Sequence, residues 1–395
     1  MKYGMIIPDG AADYPLDELD GRTPLAAADT PNMDSVAREG RLGTTRNIPD
    51  DLPPGSDVAI LSVMGYDPRE HYTGRAPLEA AARGLEVAPD EWVFRCNLVT
   101  IVDGVMEDHS AGHISTEEAA ALIGELGSAL GGDNVRFHPG VGYRHLLTLR
   151  GDMKVKTTPP HDILGKIADE HLPRGRGADL LQMLIQRSRE LLANSEINTV
   201  RRDLGENPAT SIWLWGEGKM PKLPAFGERF ALSGAVVTAV DLVRGIAKLI
   251  GWNIIDVPGA TGYLDTNYVG KGQAAVAALD ESDIVCVHVE ATDEAGHAAK
   301  PAEKVQALEE IDRHIVGPML RRLKVEGEDW RIIVLPDHPT PCRVRTHTRE
   351  AVPFAIAGKG ISAVVSGEFT EAAAEQSDLH VERGCELMEY FLTVR

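Results

Sequence analysis

Apolar residues along this chain follow two different periods. Short β-branched runs at 5–7, 284–289 and 331–335 read as buried strands of a parallel sheet. Between the last two, Val305, Leu308, Ile311, Ile315 and Met319 recur at helical spacing and predict an amphipathic helix over 301–322. The same period over 236–250 predicts a second helix, ending near Gly251, and 58–64 reads as a third. Strand–helix alternation of this kind implies an α/β fold with a mostly parallel sheet and helices on both faces.

The middle of the chain has another texture. Residues 97–102 form an apolar run ending in Asp103-Gly104, the dipeptide of a two-residue hairpin. Ser115-Thr-Glu-Glu118 is a capping box that opens a helix through about Leu130. Residues 143–149 read as a further strand and 178–194 as a further helix. Pro- and Gly-rich connections at 84–89 and 216–224 flank this region. They predict a smaller inserted α/β domain at 86–226, with 1–85 and 227–395 completing one larger, discontinuous domain.

Composition narrows the function classes. A formal net charge of -20 disfavours nucleic acid and anionic membrane surfaces, both of which reward basic proteins. No apolar stretch reaches membrane-spanning length and the first residues do not read as a secretory signal. The four cysteines are scattered with no Cys-x-x-Cys pair, which suits a reducing compartment and points to the cytoplasm. The expected partner is therefore a small molecule. Nothing in the pattern bears on oligomeric state.

Chemistry enters at the strand ends. Asp9, Asp293 and Asp337 each follow a predicted strand, and in open α/β sheets ligands bind at the carboxyl ends of strands. A lone Asp there is usually a turn former; three beside His288, His297, His338 and His347 are the carboxylate and imidazole donors of a two-metal phosphoryl-transfer site. Asp293 and His297, four apart, would share one helix face. Oxygen and imidazole donors without thiolate suit manganese, zinc or magnesium. Ser56, just before the 58–64 helix, stands where helix N–H groups stabilise a transferred phosphoryl group. Alone it would be read as an N-cap; next to metal donors it becomes a nucleophile.

These residues resemble a known family. Pro8-Asp9-Gly10, Pro54-Gly55-Ser56, the run from Thr292 to His297, Asp337-His338 and His347 look like the alkaline phosphatase superfamily. Within it they are similar to the archaeal-type cofactor-independent (2,3-bisphosphoglycerate-independent) phosphoglycerate mutases. Tyr72 to Pro77, Thr158 to Asp162 and Gly259 to Gly262 extend the similarity over nearly the whole chain. The resemblance implies an alkaline-phosphatase-like fold and two divalent ions, manganese before zinc or magnesium, with no 2,3-bisphosphoglycerate. It implies one ion on Asp293, His297 and His347, and the other on Asp9, Ser56, Asp337 and His338. Ser56 would carry phosphate between the 3- and 2-positions of glycerate, a small phosphorylated metabolite. The insert would hold glycerate and supply cations, with Arg75, His109, Arg136, Arg144 and Arg201 as candidate anion partners and Asp162 as a proton acceptor.

Two segments depart from the family pattern. Histidines stand at His109 and His113 where arginines are expected, and Trp215 precedes Gly216 where an arginine is expected. Fewer cations in the insert would suit phosphoglycerate less well. The tryptophan pattern resembles a branch proposed to act as a homoserine kinase, which makes a kinase-like phosphotransferase the alternative expectation.

Overall fold

The computed structural model describes every residue except 326, 328, 365, 366, 394 and 395. The chain divides into two compact units, Met1–Tyr72 with Lys222–Arg395, and Thr73–Pro221. The first boundary lies earlier than the 86 expected from the Gly- and Pro-rich connection. Helix Arg75–Ala82 belongs to the second unit because Ala76 and Ala80 pack with Val93 and Leu146 of that unit's sheet. The second boundary lies at 221 rather than 226.

The first unit is built on an eight-stranded sheet. Its order is Asn253–Ile255, Gly234–Val237, Ile284–Val289, Lys2–Pro8, Trp330–Val334, Val352–Gly358, Arg41–Thr45 and His380–Val381. Pairing is parallel from the first of these to Trp330–Val334, and Val352–Gly358 alone runs against its neighbours. Every residue of Ile284–Val289 and Trp330–Val334 is buried, as expected of strands covered on both faces. One large core holds their outward methyls against helices Pro31–Glu39, Tyr268–Glu281 and Pro301–Ile311.

Two helix expectations need correction. Residues 234–237 are a strand, and the helix begins at Asp241; four consecutive buried positions fit a central strand as well as a helix, and length does not separate them. The 301–322 helix contains a π turn at Asp312–Val316, after which Gly317–Lys324 continues it. Pro318 explains the widening, since its ring has no N–H and would collide with the preceding turn.

The second unit carries an antiparallel sheet centred on the twelve-residue strand Glu91–Val102, which pairs with Val105–Asp108, Arg144–Arg150 and Ser211–Gly218. Asp103 and Gly104 both have positive φ, 49° and 81°, the geometry the Asp-Gly hairpin requires. Helices Thr116–Leu130 and Ala178–Ala193 pack on this sheet through Leu122, Ile123, Leu181 and Ile185. The capping box forms as expected: Ser115 Oγ accepts from Glu118 N at 3.2 Å, and Glu118 Oε2 accepts from Ser115 N at 3.3 Å. Among the described residues no helix is long and apolar enough to cross a membrane.

Candidate active site

Three neighbouring strands of the first unit deliver the acidic groups. Asp9 directly follows Lys2–Pro8, Asp337 follows Trp330–Val334, and Ile284–Val289 runs into the short helix Ala291–His297 that carries Asp293 and His297. The strands are parallel and adjacent, with Ile7 in register with His288, so their carboxyl ends share one edge. Ser56 is the first residue of helix Ser56–Val63, two positions earlier than the apolar pattern suggested. Asp57, next in the chain, accepts from Tyr72 Oη at 2.6 Å.

Asp293, His297 and His347 form one cluster. His297 Nδ1 donates to the Arg345 carbonyl at 2.9 Å, which leaves Nε2 to face the cluster. That Nε2 lies 3.2 Å from Asp293 Oδ2 and 3.0 Å from His347 Nε2. Asp9, Asp293 and His338 form a second cluster, so Asp293 is common to both. His338 Nε2 lies 3.0 Å from Ser56 Oγ, 3.6 Å from Asp9 Oδ1 and 3.4 Å from Asp337 Oδ2. Asp337 Oδ1 is occupied by the Gly10 and His338 backbone N–H groups. Its Oδ2 and Asp9 Oδ1 are buried without a hydrogen-bond partner.

Buried carboxylate oxygens left unpaired beside converging imidazole nitrogens are costly unless a cation takes them. The donor set fits a hard or borderline divalent ion. Electrostatics point the same way. Burial, with the facing carboxylates of Asp337 and Asp293, pushes Asp9 well above the usual carboxylate range. Burial also works against an ionised Asp293, but hydrogen bonds from His297 and His347 hold it well below that range. The same Asp293 bond pushes His297 up to about 9, while burial pushes His338 down. Opposed shifts among touching groups mark a functional site more often than a structural one.

Three neighbours of the clusters have no place in the ligand sets that the resemblance implies, although His288 stood among the candidate donors. His288, fully buried, places Nε2 3.0 Å from Asp9 Oδ2 and Nδ1 3.3 Å from Thr238 Oγ1. Burial pushes it down to about 4, so it stays neutral. Its signal was a lone polar residue within an apolar strand. Thr340 Oγ1 donates to Asp293 Oδ1, and Thr292 Oγ1 donates to the Asp9 carbonyl. Neither threonine differs in sequence from an ordinary loop or helix residue.

The second unit separates the candidate anion partners. Arg201 is 2% exposed and spent on Glu118, Glu206 and the carbonyls of Ala111 and Asn207. Arg136 donates to both oxygens of Glu91 at 2.8 and 2.7 Å. Both arginines therefore serve the fold of this unit and are not taken forward as substrate partners. Arg144 is exposed, its guanidinium 5.9 Å from the Tyr143 ring centre, and Arg75 opens its helix beside Glu79. His109 meets Tyr143 and His161 edge to face, and His161 meets Trp215. Asp162 is exposed in a short 3-10 turn next to His161. Arg95 was missed, although an arginine inside an apolar strand run is a signal. Its guanidinium lies 4.2 Å from the Trp215 ring centre, with Nε 3.1 Å from Glu79, and burial pushes it down to about 10. Trp215, in the place where an arginine was expected, thus seats a cation of its own.

The profile of the 2,3-bisphosphoglycerate-independent phosphoglycerate mutase family matches residues 37–198. A relative of that name from Methanothrix thermoacetophila is 48% identical over 99% of this chain and 100% of its own length. The chain belongs to this family. A second mutase of the same name, from Methanosarcina acetivorans, is 51% identical over 90% of each chain. Two solved structures share the architecture end to end. A protein of Pyrococcus horikoshii has a TM-score of 0.85 at 32% identity, covering 99% of this chain and 96% of that one. The cofactor-independent phosphoglycerate mutase of Thermoplasma acidophilum has a TM-score of 0.68 at 26% identity, covering 99% of each. With mutase-family relatives matching across both units, the whole chain, insert included, falls within the family.

Proposed function

We infer that the protein interconverts 3-phosphoglycerate and 2-phosphoglycerate through a phosphoserine on Ser56. The observation that carries this reading is Ser56 Oγ, held at a helix N-terminus 3.0 Å from His338 Nε2 among unpaired buried carboxylate oxygens. Asp293, His297 and His347 would hold one divalent ion, and Asp9, Asp337, His338 and Ser56 the other, with Asp293 near enough to serve both. Bound there, the ions would lower the pKa of the serine hydroxyl and offset charge on the phosphoryl oxygens. Manganese suits these donors, with zinc and magnesium as alternatives.

Ser56 Oγ gives up its proton and forms a bond to phosphorus as the ester bond to glycerate breaks, and the departing glycerate oxygen takes up a proton in its place. The backbone N–H groups opening helix Ser56–Val63 favour the phosphoryl charge while it rests on the serine. In the return step the other glycerate hydroxyl loses its proton, forms the new bond to phosphorus and frees Ser56 Oγ. His338 orients Ser56, and the buried His288 Nε2 faces Asp9 Oδ2 at 3.0 Å. The second unit carries the remaining candidate groups, Arg75, Arg144 and His109 for a carboxylate and Asp162 for a proton.

The test is Ser56→Ala, assayed with 3-phosphoglycerate and, separately, with ATP plus homoserine. The reading requires that wild type form 2-phosphoglycerate and a phosphopeptide containing Ser56. Ser56→Ala should lose both while binding manganese at unchanged stoichiometry. Mutase activity retained by the variant would remove the phosphoserine route. ATP consumption with homoserine, and no conversion of 3-phosphoglycerate, would replace the substrate.

A further inference from the structure

Lys304 and Asp13 lie 291 positions apart in sequence and meet with both side chains fully buried. Neither belongs to the ligand clusters, and a buried ion pair needs a reason, because desolvating two charges offsets most of their attraction. The other bonds of the pair supply one. Lys304 Nζ donates to Asp13 Oδ2 at 2.9 Å, to the Thr340 carbonyl at 2.9 Å and to the Ala12 carbonyl at 3.5 Å. Asp13 in turn accepts from the Cys342 N–H at 3.0 Å. Asp13 N donates to Glu371 Oε1 at 3.2 Å, anchoring the aspartate from behind.

These bonds join two loops. One runs from Asp9 to Asp13, and the other from Asp337 to His347. Between them they carry Asp9, Asp337, His338 and His347, four of the six carboxylate and imidazole residues proposed above to hold the two ions. They also touch directly, through Gly10 N to Asp337 Oδ1 at 3.1 Å and Thr340 N to the Gly10 carbonyl at 3.2 Å. Lys304 is on a different element, helix Pro301–Ile311, so it fixes both loops to the helical layer.

We propose that the Lys304–Asp13 pair is a positioning device that sets the spacing of the two donor loops and thereby the affinity for the divalent ion. The proposal rests on the metal-binding reading above. Lysine supplies three donors at one point, which is what two carbonyls and a carboxylate arriving from two loops require. Donor sets lose affinity when the groups that orient them are removed, even if every direct donor remains.

The test measures Mn²⁺ affinity of the full chain by equilibrium titration, apo stability by thermal unfolding, and amide hydrogen exchange across 337–347. The double variant Asp13→Leu/Lys304→Met removes both charges and keeps apolar volume. Asp13→Glu keeps both charges and lengthens the pair by one methylene. The expected result is a Mn²⁺ affinity at least tenfold lower for the double variant and several-fold lower for Asp13→Glu. Exchange over 337–347 should be faster in both. Asp312→Ala, which weakens the same unit away from the clusters, should keep wild-type affinity and so separates positioning from general destabilisation. Wild-type affinity in Asp13→Glu, or in a folded double variant, would overturn the proposal. Equal loss of affinity in Asp312→Ala would also overturn it. A wild-type protein that binds no Mn²⁺, Zn²⁺ or Mg²⁺ would instead overturn the metal reading itself.

Discussion

His297 Nε2 and His347 Nε2 stand 3.0 Å apart, although the residues are 50 positions apart and His347 lies in a loop with no regular structure. Two imidazole nitrogens at that distance, with Asp293 below them, are stable together only if a proton or a cation lies between. Removing the cation should therefore cost the first unit stability. At an ion concentration near a hundredfold Kd the loss is about 2.7 kcal/mol. Calorimetry with and without a chelator checks this, and a transition indifferent to chelation would contradict it. His347→Ala should bind fewer ions per chain by elemental analysis.

Gly10 occupies φ +61°, and a Cβ there would stand 2.5 Å from both Asp293 Oδ1 and Thr340 Oγ1. Gly10→Ala should combine backbone strain of about 1–3 kcal/mol with a displaced Asp293. Lower urea stability together with weaker Mn²⁺ binding is expected. A variant with full affinity would show that the loop adapts.

Helix Pro31–Glu39 has no side-chain cap of its own, because Thr30 makes none. Asp312 supplies it from the π turn, accepting from Met33 N at 2.7 Å and Asn32 N at 3.2 Å. Asp312→Ala should lower unfolding free energy by about 2–4 kcal/mol, since two N–H groups lose their acceptor. Denaturant titration measures it, and a loss under about 0.5 kcal/mol would mean that water replaces the cap.

Asp108 bonds Ser110 N and Oγ, Gly112 N and Asn207, and although burial opposes the charge these bonds hold its carboxyl down at about 2. A depressed acid contributes stability that is present above the unfolded value near 4 and is lost as pH falls through 2. Discounted for partial exposure, the contribution is about 1 kcal/mol. Asp108→Asn should lose that amount at pH 7 and flatten the acid limb of a stability–pH curve between about 4 and 2. An unchanged acid limb would assign the pH dependence elsewhere.

Arg201 and Arg144 should separate structure from substrate. Arg201→Met removes the buried guanidinium that joins Glu118, Glu206 and the Ala111 and Asn207 carbonyls and should destabilise the chain by about 2–4 kcal/mol. Arg144→Gln should leave stability within about 0.5 kcal/mol and raise KM about tenfold, the effect of one lost charge-assisted bond. Thermal melts and steady-state kinetics on both variants decide it, and the reverse pattern would exchange their roles.

The chain states some of this outright. Three buried apolar runs each ending in an aspartate specify parallel strands and a shared edge, because strand direction fixes where the following residues emerge. The Asp-Gly hairpin and the Ser115 capping box are equally local, and each formed as its residues dictate. Ser56, Asp9, Asp293, His297, Asp337 and His338 could be read as candidates for the same reason, since each lies in or just beyond an element end whose type the sequence specifies, whereas His347 lies in a loop. Pairing across distance is a different matter. Arg201 and Arg136 look in sequence like any cation free to meet a substrate, and only the folded second unit gives them Glu118 and Glu91. Arg95 on Trp215, His288 behind Asp9 and Lys304 on Asp13 likewise depend on strand register and helix packing. Side-chain type and local spacing determine which groups can carry the chemistry; their burial and partners, set by contacts between residues 45 to 291 positions apart, decide which of them do.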